Sequence, residues 1–116
     1  MLLMNNKNII DIYHGDKTMT LRPLKKDNKG YFKLGSVQEV NNNIFGDYYL
    51  KVQIIGRRFV DINNLSVKDF HELGYASREE YLSEDYNRKN PSTQRISYRF
   101  RVVKVNRNKM LELLKK

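Results

Sequence analysis

A lysine, a threonine and an arginine lie close together near the start of the chain. Residues 15–22 read G-D-K-T-M-T-L-R, and Lys17, Thr20 and Arg22 carry the side chains that could do chemistry. A lysine and a guanidinium side by side bind a phosphate or a carbonyl oxygen, and arginine adds planar bidentate donation. A threonine hydroxyl both donates and accepts. The segment is a candidate site for an anion or a carbonyl group, with ordinary surface cations on a strand edge as the alternative.

A helix followed by a strand must position these side chains. Apolar residues at helical spacing predict a helix over 6–14, and Gly15 is a plausible C-terminal stop. The next residues alternate and predict a strand over 18–22 that Pro23 ends. Strict alternation would place Lys17 on the opposite side from Thr20 and Arg22. A bend at the helix–strand junction would bring all three to one cleft.

The rest of the chain predicts an α+β domain that is mainly β. Strand patterns cover about 37–40, 48–59 and 96–105, and a charged loop covers 25–30. Ser66 and Ser77 each begin a short helix with the serine-to-acid spacing of a capping box. We expect one domain over 1–116, a small mixed β-barrel with a few short helices. Its core would lie within about 6–105, and 106–116 would form a helical turn or a tail.

Charge is distributed unevenly along the chain. The formal net charge is +9, made up of +5 over residues 1–60, −5 over 61–85 and +9 over 86–116. A clustered positive surface attracts polyanions, and nucleic acid is the commonest of them. Arg95, Arg99 and Arg101 on the last strand could follow a phosphate backbone, with Tyr86 nearby for stacking and Tyr98 in the core. A solvated basic face is the alternative.

Composition excludes several other kinds of site. The chain has no cysteine, so it has neither a disulfide nor a thiol nucleophile nor a thiolate metal site. Its two histidines, His14 and His71, lie far apart and lack the spacing of metal ligands. We therefore expect no metal and no cofactor, with His14 at a helix end.

The G-x-K-x-x-T-x-R pattern of residues 15–22 resembles the ASCH family, a branch of the PUA-like β-barrel superfold. Further segments follow the family's order along most of the chain. These are a turn at 31–35, a long strand running into 60–66, a Glu-Leu-Gly-Tyr segment at 72–75 with a helix at 77–82, and a closing strand at 98–103. The resemblance covers about residues 6–105 and implies a PUA-like barrel.

The resemblance implies two kinds of function. Some similar proteins are bacterial amidohydrolases that remove the acetyl group from N4-acetylcytidine, with a lysine, a threonine and a downstream glutamate as catalytic set. Carried over, these are Lys17, Thr20 and Glu72, although Leu73 separates Glu72 from Gly74 and leaves its register uncertain. Other ASCH-like proteins resemble RNA-binding modules, and some are described as ribonucleases.

Three functions therefore stay open, and whether the protein is an enzyme is undecided. The first is a nucleic-acid-binding module, RNA foremost, whose basic cleft holds Gly15, Lys17, Thr20 and Arg22. The second is an amidohydrolase on a modified nucleoside, and the third a ribonuclease. We expect a cytoplasmic protein without membrane attachment, because no apolar run approaches the length of a signal peptide or a spanning helix. The sequence leaves the oligomeric state unknown, with a monomer as the default.

Overall fold

The fold is a five-stranded sheet, curled into a half-barrel, with short helices at its ends. The computed structural model describes residues 1–25 and 30–115, and for residues 85 and 86 the backbone alone. The predicted loop at 25–30 falls mostly on residues 26–29, outside the described residues. The strands are β1 (Leu2–Leu3), β2 (Met19–Pro23), β3 (Val37–Asn41), β4 (Leu50–Asp61) and β5 (Gln94–Val105). The helices are α1 (Asn6–His14), α2 (Val67–Glu72), α3 (Arg78–Ser83), α4 (Asp85–Lys89) and α5 (Arg107–Leu114).

The strand order β1-β3-β4-β5-β2 leaves β1 and β2 as the two edges of the sheet. The β1–β3 pair is parallel, and the other pairs are antiparallel. Two register irregularities in the β4–β5 pairing accompany the curl, since bulges bend and twist a strand. The edges approach each other closely enough for Arg22 Nη2 to donate to the Leu3 carbonyl oxygen at 3.1 Å. We call this gap between β1 and β2 the seam.

Two apolar clusters hold the fold together. The larger fills the concave side of the sheet, where Ile9 and Ile12 of α1 pack with Leu50, Ile54 and other strand residues. The smaller lies beneath the short helices and contains Met19, Ile62, Phe70, Leu73, Tyr75 and Tyr81. Because Met19 and Thr20 alternate along β2, one strand contributes to the smaller cluster with one face and lines the seam with the other.

Local signals for the helices are largely confirmed. Helix α1 covers the predicted range, Asn5 accepts from the Asn8 N–H at its start, and Gly15 ends it with a φ of +82°. Ser66 and Asp69 form a complete capping box at α2. At α3 Ser77 accepts from the Glu80 N–H, but the Glu80 carboxylate accepts from the Ala76 N–H instead of closing the box. No helix in the described part of the chain is both long and apolar enough to cross a membrane.

The packed core extends beyond residues 6–105 at both ends. Leu2 and Met4 belong to the larger cluster, as do Met110 and Leu113 of α5. The last segment is an eight-residue helix, and Asn106 caps it by accepting from the Lys109 N–H. Its apolar side packs on the concave face of the sheet, which supplies the tertiary contacts that a short helix needs.

Truncating the buried side of α5 should destabilise the fold. Leu113 is 3% exposed, so Leu113→Ala should lower the free energy of unfolding by about 2–5 kcal/mol through the cavity it leaves. Leu111 of the same helix is 56% exposed, and Leu111→Ala should change that free energy by no more than about 0.5 kcal/mol. Urea denaturation of both variants makes the comparison, and equal losses would contradict the packing of α5.

Candidate functional site

A small pocket of about 160 Å³ opens beside the seam, between the start of α1, strand β2 and the helical segment 73–87. Its polar lining comes from Asn5, Asn8, Lys17, Thr20, Arg22, Tyr75, Glu84 and Asn87. Leu3, Met4, Leu21, Leu73 and Tyr81 provide the apolar walls. The pocket therefore brings together Lys17, Thr20 and Arg22, as a bend at the helix–strand junction would require.

The bend follows from the backbone between α1 and β2. Left-handed Gly15 turns the chain back, so that the Asp16 and Lys17 N–H groups both donate to the Asp11 carbonyl oxygen. The Thr18 N–H then donates to the Glu72 carbonyl oxygen at 2.8 Å. The strand starts only at Met19, so Lys17 lies outside the alternation that separates the two faces of β2.

Lys17 is a buried cation with an altered acidity. It is 4% exposed, and its Nζ donates to the Leu73 carbonyl oxygen at 2.6 Å and lies 5.8 Å from the centre of the Tyr75 ring. Burial, together with the positive charge of Arg22, lowers the pKa of Lys17 to about 7 against the opposing effect of Asp11 and Glu84. Burial thus favours the free amine far more at this position than in an exposed lysine.

Thr20 and Arg22 project from the concave face of β2. Thr20 pairs with Tyr98 and Arg22 with Ile96 across the β2–β5 ladder, and opposite residues of a ladder share a face. Thr20 is buried, whereas Arg22 is half-buried and reaches across the seam to the Leu3 carbonyl oxygen. The pocket thus contains a hydroxyl, a tunable amine and a permanent cation.

Among the described side chains, the carboxylate that lines the pocket is that of Glu84, whereas the carry-over from the family had named Glu72. Glu72 contributes its backbone oxygen to the Thr18 N–H, and its side chain forms an ion pair of 2.7 Å with Arg99 away from the pocket. Glu84 lies at the start of α4 and lines the pocket. Leu73 ends α2, and its backbone carbonyl oxygen accepts the hydrogen bond from Lys17. The carboxylate that lines the pocket comes from residue 84, further along the chain.

Tyr75 and Asn87 hold Glu84 in place. Burial raises the pKa of the Tyr75 phenol, and the Glu84 carboxylate, to which the phenol is hydrogen-bonded, raises that pKa further. Asn87 Nδ2 donates to the Tyr81 carbonyl oxygen at 2.9 Å and contacts Glu84 Oε2 at 3.4 Å. Seven acidic residues crowd 61–85, and nothing in their spacing distinguishes Glu84 from the others. For Tyr75, the signal in the sequence was its place directly after Gly74, in the Glu-Leu-Gly-Tyr segment that resembles the family.

Comparison with protein-family models and with curated proteins gives no match. Solved structures do match. The ASCH domain from Lactobacillus crispatus JV V101 aligns with a TM-score of 0.67 at 15% identity, covering 84% of this chain and 70% of that one. A mutant ZmASCH protein from Zymomonas mobilis aligns with a TM-score of 0.66 at 13% identity, covering 96% and 77%. Protein EF3133 from Enterococcus faecalis V583, of DUF984, aligns with a TM-score of 0.66 at 14% identity, covering 90% and 79%.

This chain has an ASCH-like fold. The predicted small mixed barrel of the PUA-like type is therefore confirmed, in the form of a curled half-barrel. At these identities the likeness concerns the fold, and the pocket must be argued from this chain's own residues.

Within the ASCH-like fold, one of the three arginines predicted to form a basic face on β5 is buried. Arg95 is 2% exposed, and its guanidinium donates to the Ser92 and Gln94 carbonyl oxygens. Arg99 is paired with Glu72, and Arg101 donates to Gln53 Oε1 at 2.7 Å on the exposed part of β5. Arg95 is thus a structural residue, and the predicted basic face retains Arg99 and Arg101, which alternation places on one side of β5.

The tyrosines and histidines singled out from the sequence lie outside the small pocket or outside the described residues. Tyr98 is buried in the larger cluster as expected, and the Tyr86 side chain lies outside the described residues. His14 ends α1, and His71 Nε2 lies 3.2 Å from the Ala76 carbonyl oxygen. Across residues 1–25 and 30–115 no three histidine or carboxylate side chains come together as a metal site.

The acidity of Lys17 can be measured directly. In a lysine side-chain NMR titration we expect Lys17 to lose its proton near pH 7, because its charged form is desolvated. Arg22→Gln should raise that pKa by removing a nearby positive charge, and Arg101→Gln should leave it unchanged.

Lys7 provides an internal control in the same spectra. Its hydrogen bond to Asp11 raises the pKa of Lys7 above the ordinary 10.5, so it should titrate at the alkaline end. Lys17 titrating together with Lys7 would contradict the burial of its ammonium group.

Proposed function

We propose that this chain is a hydrolase that removes an acyl group from the exocyclic amine of a nucleobase, with N4-acetylcytidine as the first substrate to test. One observation supports this above all. Lys17, whose pKa lies at about 7, shares a small pocket with the Thr20 hydroxyl and the Glu84 carboxylate. A basic amine, a hydroxyl and a carboxylate in one desolvated site are what acyl transfer requires.

The residues can be given chemical roles. The free amine of Lys17 accepts a proton from the Thr20 hydroxyl or from a water, and the resulting oxygen nucleophile attacks the acyl carbon. Where Thr20 attacks, a water then cleaves the acyl ester on Thr20, which releases the acid and restores the hydroxyl. The guanidinium of Arg22, at the pocket wall, supplies a positive charge for the oxyanion that forms. The Glu84 carboxylate, positioned by Tyr75 and Asn87, relays the proton that Lys17 has taken up to the departing amine, so that Lys17 and Glu84 return to their starting charges.

The size of the pocket restricts what enters it. Its 160 Å³ corresponds to roughly five water molecules, and it is smaller than the ~300–1,000 Å³ typical of pockets for whole ligands. We infer that it receives the acylated amine and the base edge of a ligand, while the remainder stays outside. The resemblance to ASCH-type amidohydrolases supports the choice of an acetylated cytosine.

The assay is release of cytidine from N4-acetylcytidine by the purified protein. Lys17→Met and Thr20→Val should each lower kcat/KM by about 10²–10⁴-fold, the usual loss on removing a general base or its partner. In the wild type, kcat/KM should rise as the pH passes through about 7, because Lys17 becomes a base only after losing its proton.

The two glutamates give a matched comparison. Glu84→Gln should reduce kcat/KM by at least about 10-fold, whereas Glu72→Gln should retain wild-type activity because its side chain pairs with Arg99 outside the pocket. Circular dichroism checks that each variant is folded. Absence of cytidine release by the wild type would refute the proposal, and loss of activity in Glu72→Gln alone would refute the assignment of Glu84.

A nucleic-acid-binding module is the second candidate, supported by the net charge of +9 and by exposed cations on the outer part of the sheet. These cations are Arg58, Arg101 and Lys104. Neutralising phosphates there would release counterions, so binding should weaken steeply as salt rises.

Two charge-reversal variants test whether RNA binds to these cations or responds only to the net charge of the protein. Lys104→Glu should weaken binding to single-stranded RNA and reduce the salt slope by about 0.7 per phosphate lost. Lys68→Glu makes the same charge change on exposed α2, within the acidic segment, and should have a much smaller effect. Equal effects, or no binding at low salt, would count against the module, and cleavage of the RNA in the same samples would indicate the ribonuclease.

A further inference from the structure

The seam contains a second cavity on the other side of the Arg22–Leu3 hydrogen bond. Its volume is about 430 Å³, and the residues that matter for its chemistry are Arg22, Leu24, Lys25, Tyr31, Phe32 and Tyr98. We call it the aromatic cavity. Neither the predicted motif nor the proposed chemistry makes use of it.

The two cavities are neighbours on the concave face of the sheet. Leu2 lines the aromatic cavity, the next residue Leu3 lines the small pocket, and Arg22 lines both. Across the β2–β5 ladder, Thr20 faces Tyr98 and Arg22 faces Ile96, so the side chains of both cavities share one face. A ligand that leaves the small pocket along the seam therefore passes Arg22 and meets the aromatic cavity.

The aromatic rings of this cavity are held in place. Phe32 lies 5.2 Å from Tyr98 between ring centres, and its N–H donates to the Tyr98 hydroxyl at 3.1 Å. Tyr31 packs edge-on against Phe59 at 5.7 Å, and its hydroxyl accepts from the Lys25 N–H at 2.8 Å. Tyr31 and Phe32 remain half-buried, so parts of both rings are open to a ligand. Rings ordered in this way stack on a planar group without a further ordering cost.

We propose that the natural substrate is a modified nucleotide within a single strand, whose neighbouring base occupies the aromatic cavity while the linking phosphate lies against Arg22. The proposal rests on the proposed function for the role of the small pocket. It names the substrate class: a strand of at least two nucleotides instead of a free nucleoside.

The order of chemical groups along the seam favours this occupant over a larger acyl group. The small pocket holds only the acylated base edge, so the sugar must lie outside it. Next along the seam comes the cation of Arg22, and beyond it aromatic rings with Lys25 at the border. Base, phosphate and base follow the same order in a strand, and aromatic side chains stack on any base. A long acyl chain would gain nothing from a cation in the middle of its path.

Binding of unmodified ligands tests the cavity independently of catalysis. Calorimetric titration of the full chain should show the trinucleotide UCU binding at least about 10-fold more tightly than cytidine, the contribution expected from one stacked base. Tyr31→Ala should remove this preference. Phe45→Ala, which truncates an aromatic residue that is 89% exposed and outside both cavities, should preserve it.

A second variant covers the chance that Tyr31→Ala disturbs the fold. Leu24 is 41% exposed at the edge of the aromatic cavity, so Leu24→Glu keeps the core intact while placing a negative charge beside the phosphate path. It should also remove the preference for UCU. Equal affinity for UCU and cytidine, or a preference that survives both variants, would overturn the proposal even if N4-acetylcytidine is hydrolysed.

Kinetics then separate the two proposals. UCU with an N4-acetylated central base should have a kcat/KM about 10-fold above that of N4-acetylcytidine, and Tyr31→Ala should abolish the difference. If neither substrate is hydrolysed but the Tyr31-dependent preference for UCU stands, the hydrolase fails and the strand-binding cavity is supported. Tighter binding of N4-benzoylcytidine than of UCU, lost in Tyr31→Ala, would assign the cavity to an acyl group and overturn the proposal.

Discussion

The burial of the Lys17 ammonium group is the constraint on which the site depends. Its Nζ donates to the Leu73 carbonyl oxygen at the end of α2, and the adjacent Thr18 N–H donates to the Glu72 carbonyl oxygen. These two bonds join the α1–β2 junction to the helical segment 66–89 and place Tyr75 and Glu84 around the lysine. A buried lysine is costly when charged, so the same contacts that assemble the pocket also make its amine a base near neutral pH.

The net charge of +9 is divided among several environments instead of forming one surface. Arg95 donates to backbone carbonyl oxygens in the interior, Arg99 is paired with Glu72, and burial lowers the pKa of Lys17 to about 7. Arg22 is the cation that both cavities share. The positive charge along the seam therefore comes from single side chains and is local.

Much of the fold could be predicted because its signals are local. The helical spacing in 6–14 with Gly15, and the Ser66 capping box, each depend on a few adjacent residues, and the structure confirms them. Lys17, Thr20 and Arg22 were found because they lie in one short segment. Glu84 was not, because its place beside Lys17 depends on how α2 to α4 pack. Strand β1 is two residues long, too short for any periodicity, and the burial of Arg95 depends on carbonyl oxygens of the preceding loop.

The hydrogen bond from Arg22 to Leu3 also limits how much free sheet edge the fold exposes. An open sheet has two edges with unpaired backbone groups, and such edges invite pairing between chains. Here one edge strand is only two residues long and has a carbonyl oxygen occupied by a guanidinium, and the other carries that arginine followed by a proline without an N–H. The sheet can therefore remain an incomplete barrel, with its seam accessible to a ligand, while offering little template for a strand from a second molecule.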